Sequence, residues 1–321
     1  TPREKINEEL SARDWKFILK ELQEWVGNFD FIFSGGEPFI RDDIFEIADY
    51  AANLGLIPKV ITNGLGLKNK CERLIKSGFC DITISLNSIV NPDIHNKSRG
   101  RKDAHKITTD VIRKLVELNK KEKAGKTLLL STIIMPSNLE ELVPLARFTH
   151  ENEMGINFQM MDSGDAFFNA YSIAYETHKM YEEMKEQTVQ AIEKLKELKA
   201  QGYLIYNPES QLEGFKDLIL NSPPPKVHAP RQADEPNRNV SRFNFFPDKI
   251  SDKINQELLK QKDNGNYLSE QTYFAQNGCQ IGYRNFAVDP YGNVRICFNF
   301  PPVGSLKTDL PKNIWNSKAA D

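Results

Sequence analysis

The first half of the chain alternates between two hydrophobic patterns. Short runs that are apolar almost throughout are typical of strands buried on both faces of a sheet. Between these runs, apolar residues recur at helical spacing; Trp15, Ile18 and Leu22, for example, share one face of a predicted helix over 12–26. Strands joined by helices predict a parallel sheet with right-handed crossovers, in a barrel or a doubly wound form. The predicted strands are 29–33, 57–61, 81–86, 127–134 and 155–161.

The helical pattern continues between and after these strands. After Met161 the alternation stops, and a proline-rich, charged stretch over 222–239 follows two further helices. The predicted helices are 12–26, 42–54, 68–76, 104–122, 139–153, 174–201 and 209–220.

Near the carboxyl terminus the pattern changes to that of a β-hairpin. FAVDPYGNVRICF alternates polar and apolar residues about Asp289-Pro290-Tyr291-Gly292, which suits a type I turn. The predicted organisation is therefore a core over 1–170, a helical and proline-rich region over 171–269, and a small unit over 270–321.

Composition narrows the class of protein. The chain is 40% hydrophobic and 27% charged, with a net charge of −2, so no basic field indicates nucleic acid. No stretch approaches the roughly 18–20 apolar residues of a membrane span, and the first residues do not form a signal peptide. Four cysteines without a regular framework favour a reducing compartment. We therefore expect a cytoplasmic protein without a nucleic-acid or membrane partner.

The stretch FSGGEPFI, residues 33–40, indicates a ligand site where the first predicted strand ends. Gly35 and Gly36 remove side chains at that point, so a ligand can approach the backbone closely. In α/β folds, ligands lie beyond the carboxyl ends of the strands. The negative charge of Glu37 suits an ammonium group and would repel a phosphate. A tight strand–helix turn is the alternative interpretation.

Five stretches in order make the chain resemble a known family. FSGGEPFIRDDIFEIADYAANLGL is followed by VITNG, ITISLNS, the His-x-x-x-Arg-Gly of residues 95–100, and STIIMPSNLEELVPLARF. Together they are similar to the radical S-adenosylmethionine (SAM) superfamily over residues 10–161. The resemblance implies an α/β fold: a partial (β/α)₆ TIM-like barrel that holds SAM across its strand ends. It also implies reductive cleavage of SAM to a 5′-deoxyadenosyl radical, which removes hydrogen from a substrate C–H bond.

The resemblance also implies which residues bind SAM. The glycines and Glu37 would engage its amino group, Arg99 its carboxylate, and Ser131 its ribose or carboxylate; strand-end capping or solvation is the alternative for the polar residues, and solvation for His95 in a loop. The expected cofactor-binding residues are Gly35, Gly36, Glu37, Thr62, Asn63, Ser85, Arg99 and Ser131.

The cysteines fit this resemblance only in part. The Cys-x3-Cys-x2-Cys motif that holds the family's [4Fe–4S] cluster is absent from these 321 residues. We expect it upstream of Thr1, together with the first barrel strand. Cys279 and Cys297, spaced C-x12-G-x4-C about Gly292, resemble the SPASM or twitch extensions that hold an auxiliary iron–sulfur cluster. A reduced pair without metal is the alternative.

The expected function is therefore radical SAM modification of a peptide or protein, with an electron donor such as flavodoxin or ferredoxin. Three alternatives stay open. The first is a small-molecule dehydrogenase, epimerase or methyltransferase of the same family, and the second is a non-catalytic SAM-binding or partner-binding module. The third is an aldolase-type barrel, which needs a strand-end lysine; Lys59 lies within a strand and fits poorly.

Overall fold

The computed structural model describes residues 9–160, 182–221, 287–295 and 302–317. Five strands form one sheet in which every neighbouring pair is parallel and the spatial order follows the chain. The predicted α/β class and all five strands are confirmed. The sheet does not close into a barrel within the described residues. The strands are β1 Asp30–Phe33, β2 Ile57–Thr62, β3 Asp81–Ser85, β4 Thr127–Ile134 and β5 Gly155–Met160.

Helices cover one face of this sheet. The side chains of Val60, Ile84 and Leu130 on that face are fully buried in the main hydrophobic cluster. Most of the predicted helices are confirmed to within three residues at each end. The helices are α1 Ala12–Val26, α2 Ile44–Asn53, α3 Cys71–Lys76, α4 Pro92–Arg99, α5 Ala104–Glu122, α6 Leu142–Glu151, α7 Lys185–Ala200 and α8 Glu209–Asn221.

Two helices differ from their predictions. Of the helix predicted over 174–201, residues 174–181 lie outside the described residues. In the described part, α7 begins at Lys185, because Met184 lies outside the helical conformation as its N-cap. The helix α4 lies where the sequence predicts the loop that leads to Arg99. It begins at Pro92, where the side chain of Asn91 accepts a hydrogen bond from the backbone of Asp93, and it ends at Gly100 in the left-handed conformation.

The opposite face of the sheet, which we call the inner face, is more polar. Side chains alternate between the two faces along each strand, and residues in register across parallel strands share a face. Ser85, Ser131 and Asn157 are in register across three neighbouring strands, so they form one row on the inner face.

A short segment extends the sheet beyond β5. Ile205 forms a parallel bridge with Ile156. The side-chain amide of Asn207 then takes the place of a strand's peptide group, since it donates to the carbonyl of Phe158 and accepts from its N–H, both at 2.7 Å. The sequence did not predict this edge.

The carboxyl-terminal residues form a small three-stranded antiparallel sheet, and the predicted hairpin is confirmed. Its turn closes with a 3.0 Å bond from the Gly292 N–H to the Asp289 carbonyl. This unit packs on α1, where Trp25 and Trp315 are 6.5 Å apart. No helix in the described part of the chain is long and apolar enough to cross a membrane. The elements are β6 Ala287–Val288, β7 Asn293–Arg295, β8 Gly304–Ser305 and α9 Pro311–Trp315.

Candidate active site at the carboxyl ends of the strands

The parallel strands place most of the predicted site residues at one edge of the sheet. The glycine loop, residues 34–37, follows β1, and Thr62 ends β2. Ser85 ends β3, and Ser131, although within β4, is level with it in the register. Parallel strands bring their carboxyl ends to the same edge. The structure therefore gathers residues that are far apart in the sequence.

The glycine loop presents bare backbone to open space. A Cβ atom placed on Gly35 or Gly36 would meet no atom within 4 Å. Gly35 also has φ +127°, a conformation that residues with a side chain rarely adopt. Both observations agree with the predicted close approach of a ligand to this backbone.

Glu37 holds two loops together. Its Oε1 accepts hydrogen bonds from the Thr62 hydroxyl at 2.7 Å and the Phe39 N–H at 3.2 Å, and its Oε2 accepts one from the Asn63 N–H at 2.9 Å. The carboxylate thus fastens the loop after β1 to the loop after β2. Because a carboxylate oxygen has two lone pairs, Oε2 keeps capacity for one further donor, such as an ammonium group.

The Thr-Asn-Gly turn after β2 is occupied largely by its own hydrogen bonds. The Thr62 hydroxyl accepts from the Gly64 N–H, and the Asn63 side-chain oxygen accepts from the Leu65 N–H at 2.8 Å. The Asn63 carbonyl accepts from the Thr108 hydroxyl at 3.0 Å. These contacts are those of strand-end capping. They leave the Asn63 side-chain NH₂ without a protein partner in the described chain.

Arg99 is the last residue of α4 and carries a buried guanidinium donor. Its Nε is buried and has no hydrogen-bond partner among the described residues. Burial lowers the pKa of the guanidinium, and the charge of Glu37 acts in the opposite direction, which places Arg99 within the field of that carboxylate. A buried guanidinium donor without a partner is suited to an anionic ligand, above all a carboxylate.

His95 lies one turn before Arg99, and its predicted position in a solvated loop is wrong. Its side chain is fully buried on α4, where its Nδ1 accepts a 3.3 Å bond from the Asn87 N–H. Burial, together with the charge of Arg99, lowers the pKa of His95 to about 3. The imidazole is therefore neutral, and with Nδ1 accepting, its proton is assigned to Nε2.

Two further polar residues brace this edge, and sequence reasoning did not give them roles. The Asn138 side chain donates to the carbonyls of Asn87 and Ile133 at 2.9 and 2.8 Å, so it ties β4 to the end of β3. Glu141, also buried, accepts three backbone N–H groups from residues 89–91. Both lie in the sequence marker MPSNLEE, and this marker is the signal that could have indicated them.

Asn157 was also missed. It continues the row formed by Ser85 and Ser131, and none of these three half-buried side chains has a hydrogen-bond partner among the described residues. The signal lay in the alternation of β5, where Asn157 shares its face with Gln159 and faces away from the buried Phe158. The row offers neutral hydrogen-bonding groups to a ligand.

The predicted cluster ligands Cys279 and Cys297 lie outside the described residues. Cys71 and Cys80 are free thiols, buried and half-buried, and burial raises the pKa of the Cys71 thiol. Within the described ranges, no three His, Cys, Asp or Glu side chains are grouped to hold a metal ion.

Comparison with known family profiles gives one match, over the first part of the chain. Residues 2–149 match the profile of the Radical SAM superfamily. This match agrees with the family that the sequence markers predicted.

The curated relatives are matched over part of their length. A PqqA peptide cyclase of Bradyrhizobium diazoefficiens is 31% identical over 117 residues, which cover 36% of this chain and 30% of that protein. An AdoMet-dependent heme synthase of Methanosarcina barkeri is 32% identical over 135 residues, or 42% of this chain and 36% of that protein. The aligned part thus spans about a third of each relative.

Solved structures share the fold at low identity. Streptococcus suis SuiB bound to its precursor peptide SuiA is 15% identical with a TM-score of 0.59, covering 96% of this chain and 58% of SuiB. The structure of anSMEcpe with bound AdoMet and the Kp18Cys peptide is 14% identical with a TM-score of 0.54, covering 97% of this chain and 73% of that one.

Proposed function

We propose that this protein is a radical SAM enzyme that modifies a peptide or protein. In this proposal SAM is cleaved reductively, and the 5′-deoxyadenosyl radical removes hydrogen from a C–H bond of the substrate. The observation that carries the proposal is the open backbone of Gly35 and Gly36 at the same strand-end edge as the Nε of Arg99, which has no hydrogen-bond partner among the described residues. The backbone after β1 suits an ammonium group and the guanidinium of Arg99 suits a carboxylate. The methionine part of SAM carries both groups.

The main residues of the site each have a defined role in this proposal. The bare backbone after β1 receives the amino group of SAM, and Glu37 supplies negative charge beside it while it holds the Thr62 turn in place. Arg99 binds the carboxylate as a charge-assisted pair. The row on the inner face, Ser85 with Ser131 and Asn157, binds hydroxyl or amide groups of the nucleoside or the substrate.

The iron–sulfur chemistry is supplied from outside the described residues. We propose that a Cys-x3-Cys-x2-Cys segment upstream of Thr1 holds the [4Fe–4S] cluster, which provides the electron that cleaves SAM. We further propose that Cys279 and Cys297 hold an auxiliary cluster, that flavodoxin or ferredoxin is the electron donor, and that the protein acts in the cytoplasm.

Support for a peptide substrate comes from the relatives. The names of the curated PqqA peptide cyclase and of the SuiB and anSMEcpe structures all refer to peptides. The heme synthase match supports a second candidate, a radical SAM enzyme that acts on a small molecule.

The test uses the full-length protein, reconstituted with iron and sulfide without oxygen. With reductant and SAM, we expect 5′-deoxyadenosine to form, and an Arg99→Gln variant to form much less of it than Lys97→Gln, a change of an exposed cation on the same helix. An extract from cells grown in heavy water then distinguishes the substrates. If deuterium passes from the extract to 5′-deoxyadenosine, and protease treatment of the extract abolishes this transfer, the substrate is a peptide or protein. If the transfer survives protease treatment, the substrate is a small molecule. Absence of 5′-deoxyadenosine contradicts the enzyme and favours a SAM-binding module.

A further inference from the structure

Glu141 is a buried carboxylate committed to one loop. It is 5% exposed, and it accepts the N–H groups of Ile89, Val90 and Asn91 at 2.7, 2.8 and 2.8 Å. A buried charge is costly unless hydrogen bonds compensate it, and bonds to a charged acceptor are stronger than neutral ones. Three consecutive backbone groups are therefore held at a fixed position by one side chain from another element.

This loop leads directly into α4. Asn91 is the N-cap of the helix and Pro92 its first residue, so the three bonds end where the helix begins. A helix rises about 1.5 Å per residue and behaves as a stiff rod over eight residues. Fixing its first turn therefore fixes the place of its last residue, Arg99.

Further contacts hold the same helix to the residues that follow β3. The backbone N–H of His95 donates to the Ser88 hydroxyl at 3.1 Å, and the Asn87 side chain donates to the Ser98 hydroxyl at 3.2 Å. Arg99 itself has no such contact at Nε among the described residues. The position of its guanidinium thus depends on how α4 is held.

We propose that Glu141 is a positioning residue for SAM binding. By holding residues 89–91 it sets α4 so that the guanidinium of Arg99 meets the carboxylate of the methionine part of SAM. This inference rests on the proposed function, because it requires SAM at this edge of the sheet.

The test compares two ligands that differ in the group concerned. 5′-Methylthioadenosine shares the nucleoside and sulfur of SAM and lacks its amino acid part. In the reconstituted full-length protein, we expect Glu141→Gln to weaken SAM binding roughly 10-fold, because an amide cannot accept all three N–H groups. Binding of 5′-methylthioadenosine should stay within about twofold, since it does not use Arg99. Glu140→Gln, an exposed change in the same turn, should alter neither.

A second set of variants separates positioning from general damage. Ser98→Ala loosens α4 through a different contact and should weaken SAM binding selectively, by less than Glu141→Gln. Once Arg99→Gln has been introduced, Glu141→Gln should cause little further loss of SAM affinity, because both changes act on the same contact. This holds even if Glu141→Gln lowers the overall stability, since the comparison is between ligands in the folded protein.

Three results would overturn the inference. They are equal weakening of both ligands by Glu141→Gln, unchanged SAM binding in that variant, and additive losses in the double variant. A wild-type protein that binds no SAM would instead overturn the proposed function, and the inference with it.

Discussion

The two ends of the inner face of the sheet are completed differently. At the amino end of the strands, the Lys59 ammonium lies between the carboxylates of Asp30 and Asp81, at 2.7 and 3.2 Å. Farther along the same end, the ring of Tyr206 lies against Gly155, where a Cβ would collide with it. Charges and space at this end are thus satisfied by the protein itself.

At the carboxyl end of the strands, the described residues do not satisfy all of the polar groups or fill the space themselves. The backbone at Gly35 faces open space, and the Nε of Arg99 and the side chains of the inner-face row have no hydrogen-bond partners in the described residues. Polar groups that a fold leaves unpaired are costly unless water or a ligand pairs them. The contrast teaches that charge alone does not mark a site: the charge of Lys59 is paired within the protein, whereas the uncharged backbone of Gly35 and Gly36 faces open space.

The largest effect should follow from removing the carboxylate that organises the open end. Glu37→Ala deletes three hydrogen bonds and separates the loops after β1 and β2. We expect the free energy of unfolding to fall by roughly 2–4 kcal/mol. SAM affinity should fall about 100-fold, since the preorganised backbone is lost. Urea unfolding and equilibrium binding measure the two effects.

The control for this change is Glu46→Ala. Glu46 pairs with Lys16 at 2.6 Å on the surface, and such exposed pairs contribute little. If Glu37→Ala kept SAM affinity within threefold of wild type, Glu37 would be a loop brace without importance for the ligand.

A smaller effect should follow from filling the open space. Gly35→Ala and Gly125→Ala both place a side chain where φ is positive, at +127° and +65°, and neither new Cβ would meet another atom within 4 Å. Each should cost about 1–3 kcal/mol of stability through backbone strain. Only Gly35→Ala should also weaken SAM binding, by roughly 10-fold, because Gly125 precedes β4 at the other end of the sheet. Equal binding by the two variants would contradict a ligand at the glycine loop.

The sheet was predictable because its strands are nearly continuous apolar runs. For residues 127–134, a buried strand is the interpretation that the pattern favours most, and β4 spans these residues. The helix α4 was not predictable, because PDIHNKSR contains a single large apolar residue, Ile94, and shows no helical periodicity. Its caps and the polar contacts of His95 stabilise it instead.

The site was predictable at the level of its location. The glycines after β1 indicate a ligand from sequence alone, but the role of Glu37 depends on Thr62, which is 25 residues away and adjacent only in the folded sheet. The role of Glu141 could not be predicted either, since its partners at residues 89–91 are about 50 positions away. Long-range hydrogen bonds leave no local pattern in a sequence.

A pH effect should arise from His95 at the open end. Because burial holds its pKa near 3, below the ordinary 6.5, the folded protein keeps it neutral while the unfolded chain protonates it as pH falls through 6.5. Its contribution to stability is therefore present above pH 6.5 and is lost progressively toward pH 3, by roughly 1 kcal/mol per pH unit.

Urea unfolding of wild type and His95→Gln between pH 7 and 5 measures this slope. We expect the variant's stability to fall less steeply with acid than that of wild type, whatever its stability at pH 7. Parallel slopes for wild type and His95→Gln would show that the histidine is not held neutral by burial.

The smallest effect on the ligand should come from the closed end. Burial acts to lower the pKa of Lys59, but its hydrogen bonds with Asp30 and Asp81 outweigh this, and the net pKa is raised. Lys59→Met leaves the two carboxylates without their shared cation and should cost about 1 kcal/mol of stability, since the group is partly solvated. SAM affinity should remain within twofold, because Lys59 and its two carboxylate partners lie at the amino end of the strands, away from the glycine loop. A loss of affinity as large as that of Gly35→Ala would show that the two ends act as one site, and the distinction between a closed end and an open end would fail.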